Sequence, residues 1–255
     1  MKRADETTDI LTRRLRIIQR RGGHRAGSDD VLLAWAGIRA VPDARRILDL
    51  GSGKGTVALL LLGSLPDAKV VGIEAYPAHH RLAVRNAALN RLSDRYDPRL
   101  GDLRDPAMLA GEEPVDLICG APPYHPLGSG ILPKDPGRAA GRFELRGGVE
   151  AYAQTAAGHL SNGGRMVLLM NGAGRIRAEA AVTGANLAVC RVVAVRPKPG
   201  QPPTYWLIES AAGDPGPVTE EELCMREETG MKWSPSYAAI RAALDLPEQS
   251  GQHKD

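Results

Sequence analysis

From residue 45 onward the chain alternates short apolar runs with stretches of helical periodicity, and this alternation restricts the fold more than any other feature. Residues 46–50, 69–74, 115–119 and 165–170 read as strands, with a shorter one at 98–100. Residues 56–62, 78–92 and 148–160 read as helices between them. In 78–92 the apolar positions are Leu82, Val84, Ala88 and Leu89, with an Arg/Asn face expected to be exposed. Ser28-Asp29-Asp30 ahead of an apolar run from Val31 reads as a helix N-cap. Strands that alternate with helices form a parallel, doubly wound sheet. The end of the chain departs from that rhythm: 188–195 and 204–209 are strands joined by a Pro-rich turn with no helix between them. The expected architecture is therefore α/β and Rossmann-like, a mostly parallel seven-stranded sheet with one antiparallel strand near its edge.

Aromatic residues are only 4% of the chain and Phe143 is its single phenylalanine, so the core must rest on Leu, Val, Ile and Ala. That composition suits helices packed on a parallel sheet. The net charge of +3 is mild, but its distribution is uneven. Residues 1–25 carry eight Lys/Arg against three acids, and residues 213–255 carry nine Asp/Glu against four bases. The reading divides the chain into a basic N-terminal arm (1–25), a catalytic domain (26–212) with a substrate loop (125–148), and an acidic extension (213–255) ending in a helix and a disordered tail. Within the arm, 9–21 reads as a basic helix or extended segment, broken at Gly22-Gly23. Cys119, Cys190 and Cys224 are far apart, with no metal-ligand spacing, so neither a disulfide framework nor a metal site is expected. With no long apolar run and no secretory core, a reducing cytoplasm is the expected compartment.

Asp49-Leu50-Gly51-Ser52-Gly53-Lys54-Gly55 joins the first strand of the alternating region to its helix. Glycines there let the backbone turn tightly and let a ligand approach without a Cβ in the way. A nicotinamide site would read Gly-x-Gly-x-x-Gly. The spacing here is Gly-x-Gly-x-Gly, and Asp49 before it would repel a pyrophosphate yet can hold a cationic amino-acid group. Glu74 closes the second strand and is placed to accept two ribose hydroxyls. Asp102, beside Gly101, is placed to accept from an adenine amino group. Together they point to S-adenosylmethionine as cofactor.

The strand 115–119 runs into Gly120-Ala121-Pro122-Pro123-Tyr124. Here the chain resembles the amino-methyltransferases whose fourth strand ends in Asn/Asp/Ser-Pro-Pro-aromatic. Within that group it is most similar to the bacterial adenine N6-methyltransferases of the tRNA(Val) anticodon loop. The likeness spans roughly residues 15–245 and includes Gly27-Ser28-Asp29, Asp49 to Gly55, Pro122-Pro123-Tyr124, the Arg142/Glu144 region, the Pro-rich turn from Pro199 to Pro203, and Tyr237. The resemblance implies a class I methyltransferase fold. Asp29 would support the methionine end of the cofactor, which Asp49, Gly51, Gly53, Gly55, Glu74 and Asp102 would also hold. The Pro122 carbonyl would accept from the target amine, with Pro123 and Tyr124 completing the motif and the Tyr124 ring stacking on the base.

Ala121 stands where that family has Asn, deleting one acceptor. Losing one preorganised transition-state hydrogen bond costs ~3 kcal/mol, or on the order of 100- to 1000-fold in rate. Three outcomes stay open: Ser129, Asp135 or Glu144 substitutes, the substrate is not an adenine amine, or catalysis is weak. Residues 125–147 are too long and Gly/Pro-rich for a simple connector and read as a lid or substrate loop. Arg20, Arg21, Arg25, Arg138, Arg142 and Lys198 are candidate RNA contacts, with Arg13, Arg14 and Arg16 beside them. His79 and His80 read as surface residues, and His125 as a polar residue beside a turn. The leading expectation is an enzyme methylating adenine N6 in tRNA. The alternatives are a methyltransferase for a protein side chain or small metabolite, and a catalytically weakened RNA-binding homologue.

Overall fold

The computed structural model describes residues 4–213 and 215–248. The disordered tail expected after Pro247 falls largely on 249–255, outside the described residues. Five strands build the parallel part of the sheet: β3 (Arg46–Leu50), β4 (Lys69–Glu74), β5 (Tyr96–Leu100), β6 (Val115–Gly120) and β7 (Leu160–Asn171). β8 (Leu187–Arg196), β9 (Tyr205–Ala212) and β10 (Thr219–Cys224) extend it to the order β10-β8-β9-β7-β6-β3-β4-β5. β9 is antiparallel to both β7 and β8, while β10 is parallel to β8, so one strand runs against the rest. The sheet has eight strands rather than the expected seven, because β10 arises within the acidic extension.

Helices cover both faces. α1 (Ser28–Ala40), α2 (Thr56–Ser64), α3 (Pro77–Leu89) and α7 (Pro235–Ala243) share one apolar cluster with the sheet. α5 (Val149–Ala157) and α6 (Arg175–Gly184) share another on the opposite face. α2 is apolar almost all round, and Val57 to Leu62 are all buried, as a helix enclosed by neighbours requires. The α1 N-cap is Gly27 rather than the Ser-Asp pair, and its amide donates to Asp30 Oδ2 at 3.0 Å. Asp29 is not part of this capping box; its Oδ2 lies 3.8 Å from His24 Nε2. Among the described residues no helix is long and apolar enough to cross a membrane.

The segment expected as a basic helix or extended arm lies in an antiparallel hairpin, β1 (Glu6–Ile10) and β2 (Arg16–Arg20). The hairpin corrects the reading of α3. Asn86 is fully buried: its Oδ1 accepts from Ile18 N at 2.7 Å, and its Nδ2 donates to Ile18 O and Lys54 O. One turn on, Asn90 makes the same pair of bonds to Arg16 N and O. Arg85 forms a bidentate pair with buried Glu6. The Asn face of α3 thus acts as a surrogate strand edge for β2, while Val84, Ala88 and Leu89 face solvent.

The two oppositely charged ends of the sequence also meet. Arg13 and Arg14 pair with Asp245, and Arg13 also reaches Glu248. On β10, Glu220, Glu221 and Glu222 pair with Arg175, with Arg39 and Arg191, and with Arg196 respectively. Exposed pairs of this kind each add little to stability. Their effect here is to let a Glu-rich strand lie on a sheet edge.

Candidate active site

The parallel strands end together, so the loops leaving β3, β4, β5 and β6 converge on one rim of the sheet, where α/β folds bind ligands. Gly51 and Gly53 turn the chain out of β3 with φ of 67° and 58°. The two have different neighbours. A Cβ on Gly51 would run into the Tyr152 hydroxyl, whereas at Gly53 the nearest atom is Gly51 O at 4.0 Å. Gly51 therefore lets Tyr152 of α5 pack against the loop, and Gly53 bares its backbone to the cavity. Gly55, expected among the cofactor contacts, is off the cavity wall; its Cβ position lies 2.8 Å from the Tyr96 ring, so it serves helix–sheet packing.

Glu74, at the tip of β4, accepts Gly53 N at 2.8 Å through Oε2 and Tyr76 N through Oε1. Burial raises its pKa, and the two amides oppose that rise. Asp49 is 2% exposed, and its Oδ2 has no partner among the described residues. Burial, with the charges of Asp30 and Glu74, holds the Asp49 carboxyl well above the usual aspartate range. Asp102 lies on the same cavity, but Arg104 occupies both its oxygens, at 2.9 and 2.7 Å, and depresses its pKa. Asp29 and Asp30 enter the cavity from the first turn of α1. The cavity thus joins Asp29, Asp49, Gly51, Gly53, Glu74 and Asp102 with Ala121, Pro122, Pro123 and Tyr124 from the exit of β6.

At that exit, Ala121 is exposed on the cavity wall, while Pro122 is buried. Burial and the nearby Asp29 raise the Tyr124 pKa, so its phenol stays neutral. None of the three candidate substitutes for Asn lies on the wall. Ser129 Oγ donates to Pro126 O, Asp135 caps a helix, and Glu144 is held by Arg177. Among the acids, the charge of Asp29 bears most on the Tyr124 phenol.

Residues 125–148 fold over the cavity. A short helix α4 (Pro136–Arg142) begins at Asp135, whose Oδ1 accepts Arg138 N at 2.9 Å. Ala140, Gly141, Phe143, Leu145, Arg146 and Gly147 form a wall opposite the glycine loop. Arg20 Nη1 bonds Asp135 Oδ2 at 3.0 Å, tying β2 to α4, and Arg177 ties Glu144 to α6. His125 lies against Phe143 with ring centroids 5.3 Å apart and is off the cavity wall.

Of the candidate RNA contacts, Arg20 pairs with Asp5 and Asp135, and Arg25 with Asp9. Arg21, Arg138 and Arg142 are exposed, Lys198 partly so, and none pairs with a described acid. Several residues that the sequence did not assign to the cofactor pocket also line the cavity: Asp30, Lys54, His79, Arg146 and Tyr152. His79, expected at the surface, is partly buried, and desolvation together with Lys54 lowers its pKa to about 4. His80 is also partly buried, bonded to Pro98 O at 3.0 Å. The one local signal for any of these was Lys54, a lysine between two glycines of the loop.

The donor set suits S-adenosylmethionine. An orphaned buried carboxylate oxygen on Asp49 and the acids at the α1 N-terminus fit a cationic amino acid, and Glu74 beside an open glycine fits a ribose diol. No family model matches the chain. The tRNA1(Val) (adenine(37)-N6)-methyltransferase of Porphyromonas gingivalis is 33% identical over 246 residues, covering 91% of this chain and 93% of that protein. The protein of the same name from Bacteroides thetaiotaomicron is 30% identical, covering 78% of this chain and 81% of its own. In fold, a solved structure of a predicted O-methyltransferase from Agrobacterium tumefaciens matches with a TM-score of 0.66 and 22% identity, over 86% of this chain and 98% of that one. With this extent of identity along nearly its whole length, the chain belongs to the tRNA1(Val) (adenine(37)-N6)-methyltransferase family.

Proposed function

We propose that this protein is an S-adenosylmethionine-dependent enzyme that methylates N6 of an adenine in tRNA, in the cytoplasm. The observation that carries the reading is one cavity in which the Asp49–Gly53 loop and Glu74 face the Pro122-Pro123-Tyr124 turn. When bound, S-adenosylmethionine supplies an activated methyl group on a sulfonium. Glu74 and the Gly53 backbone hold the ribose end, Asp102 the adenine end, and Asp49 with Asp29 the amino-acid end. The Pro122 carbonyl would accept a hydrogen bond from the target amine and so raise the electron density on its nitrogen. Tyr124, neutral and partly packed into the core, offers its ring face to the target base. The folded 125–148 segment excludes water from the reacting pair. Arg21, Arg138, Arg142 and Lys198 supply the unpaired positive charge that tracks phosphates.

The test is transfer of a labelled methyl to unmodified tRNA, followed by nucleoside mass spectrometry. N6-methyladenosine at a single anticodon-loop position is expected, with tRNA binding that weakens steeply with salt. Label appearing in protein or metabolite, with none in tRNA, would overturn the reading.

A further inference from the structure

Lys54 is 6% exposed, lies on the cofactor cavity, and has no ion pair with any described residue. A buried ammonium without a bonded counter-charge is costly, so such residues are rare outside functional sites. The lysine is also well anchored. Its carbonyl accepts Asn86 Nδ2 at 2.9 Å, and the following turn closes through Gly55 N to Ser52 O at 2.8 Å. Its charge is felt by two groups on the cavity wall, Asp30 at the α1 N-terminus and His79. Asp30 is itself engaged by the Gly27 amide.

The cavity therefore has an acid-rich end at Asp29, Asp30 and Asp49, with one buried cation beside it. A ligand bearing only positive charge would be matched by the acids and repelled by Lys54. A ligand bearing an ammonium and a carboxylate on the same carbon matches both. We infer that Lys54 holds the carboxylate of the cofactor's methionine moiety, making it the residue that selects an intact amino acid over its decarboxylated counterpart. This rests on the S-adenosylmethionine reading of the cavity. The acids alone would favour the decarboxylated ligand, because both ligands keep the amine and the sulfonium and only the intact cofactor brings a carboxylate for the acids to repel.

The experiment is calorimetric titration of the full-length protein with S-adenosylmethionine and with decarboxylated S-adenosylmethionine, which differ only by that carboxylate. Wild-type protein is expected to prefer the intact cofactor by ~10- to 100-fold, the range of a charge-assisted pair in a partly dry site. Lys54→Met should weaken the intact cofactor alone and bring the ratio close to one, while Lys54→Arg keeps most of the preference. Equal weakening of both ligands by Lys54→Met would show that the lysine supports the pocket without reading the carboxylate, and overturns the inference. A wild-type ratio near one overturns it without any variant, so the outcome does not depend on Lys54→Met folding. Failure of wild-type protein to bind either ligand would instead refute the cofactor reading beneath it.

Discussion

Glu74 Oε2 accepts the Gly53 amide at 2.8 Å, so the tip of β4 holds the glycine loop leaving β3. The same carboxylate is the acceptor assigned to the ribose, and this bond fixes its orientation. Glu74→Ala removes both functions. Its affinity for S-adenosylhomocysteine, read by calorimetry, should fall ~10- to 100-fold, equivalent to ~1–3 kcal/mol for charge-assisted bonds. Glu74→Gln, which keeps an acceptor, should lose less. Affinity unchanged in both variants would separate Glu74 from the ribose.

Asp49 gives a pH signature. Burial raises its pKa well above 3.8, so the native state retains a proton that the unfolded chain has already released. Between those two values the native state binds more protons, and stability falls as pH rises. Ligand-free Asp49→Asn should therefore melt higher than wild type at pH 8, with the difference vanishing below about pH 4, where both states of the wild-type carboxyl are protonated. The same variant should bind S-adenosylmethionine more weakly, because an amide, unlike a carboxyl, has no proton to give up and so can offer the cationic end no full negative charge. Calorimetric melts across pH test this, and equal melting temperatures at pH 8 would refute it.

What could be read in advance follows from the range of the interactions. The Gly51–Gly55 turn and the acids at strand tips lie within a few residues of the hydrophobic runs that place them, so local pattern reveals them. Asn86 could not be read that way. Its partner is the backbone of Ile18, 68 residues earlier, and an Asn on a helix otherwise signals a solvated face. β10 was hidden for a related reason. Glu220, Glu221 and Glu222 argue for open solvent until Arg39, Arg175, Arg191 and Arg196 are brought alongside. Lys54 stood out only as a lysine between two glycines, because neither its burial nor the position of Asp30 is encoded locally.

Asp135 is the restraint on the cavity cover that a single substitution can remove. It caps α4 through Arg138 N and pairs with Arg20, and both interactions depress its pKa. That stabilisation is complete above the ordinary aspartate pKa and is lost as pH falls through the depressed one. Asp135→Ala should cost α4 ~1 kcal/mol as a lost cap. Amide exchange across 136–142 should then speed up ~5-fold, with S-adenosylhomocysteine leaving faster at little change in overall melting temperature. Unchanged exchange would mean that the Phe143 contacts hold the cover without the acid.

Ala121 is the position where restoring a side chain tests the chemistry most directly. It follows Gly120, where the Tyr152 ring fills the Cβ position, yet Ala121 itself is exposed on the cavity wall, so an Asn fits without displacing the core. The amide oxygen would add a second acceptor beside the Pro122 carbonyl, aimed at the amine as its charge develops. Ala121→Asn should raise the single-turnover rate of methyl transfer to tRNA by ~10- to 1000-fold. Affinity for S-adenosylhomocysteine should stay within about twofold, because the change affects the transition state rather than the ground state. An unchanged rate would show that wild-type protein already has a second acceptor at the amine. Asp29, whose charge reaches Tyr124, is the side chain to substitute next, and Asp29→Asn should then slow wild-type and Ala121→Asn proteins unequally.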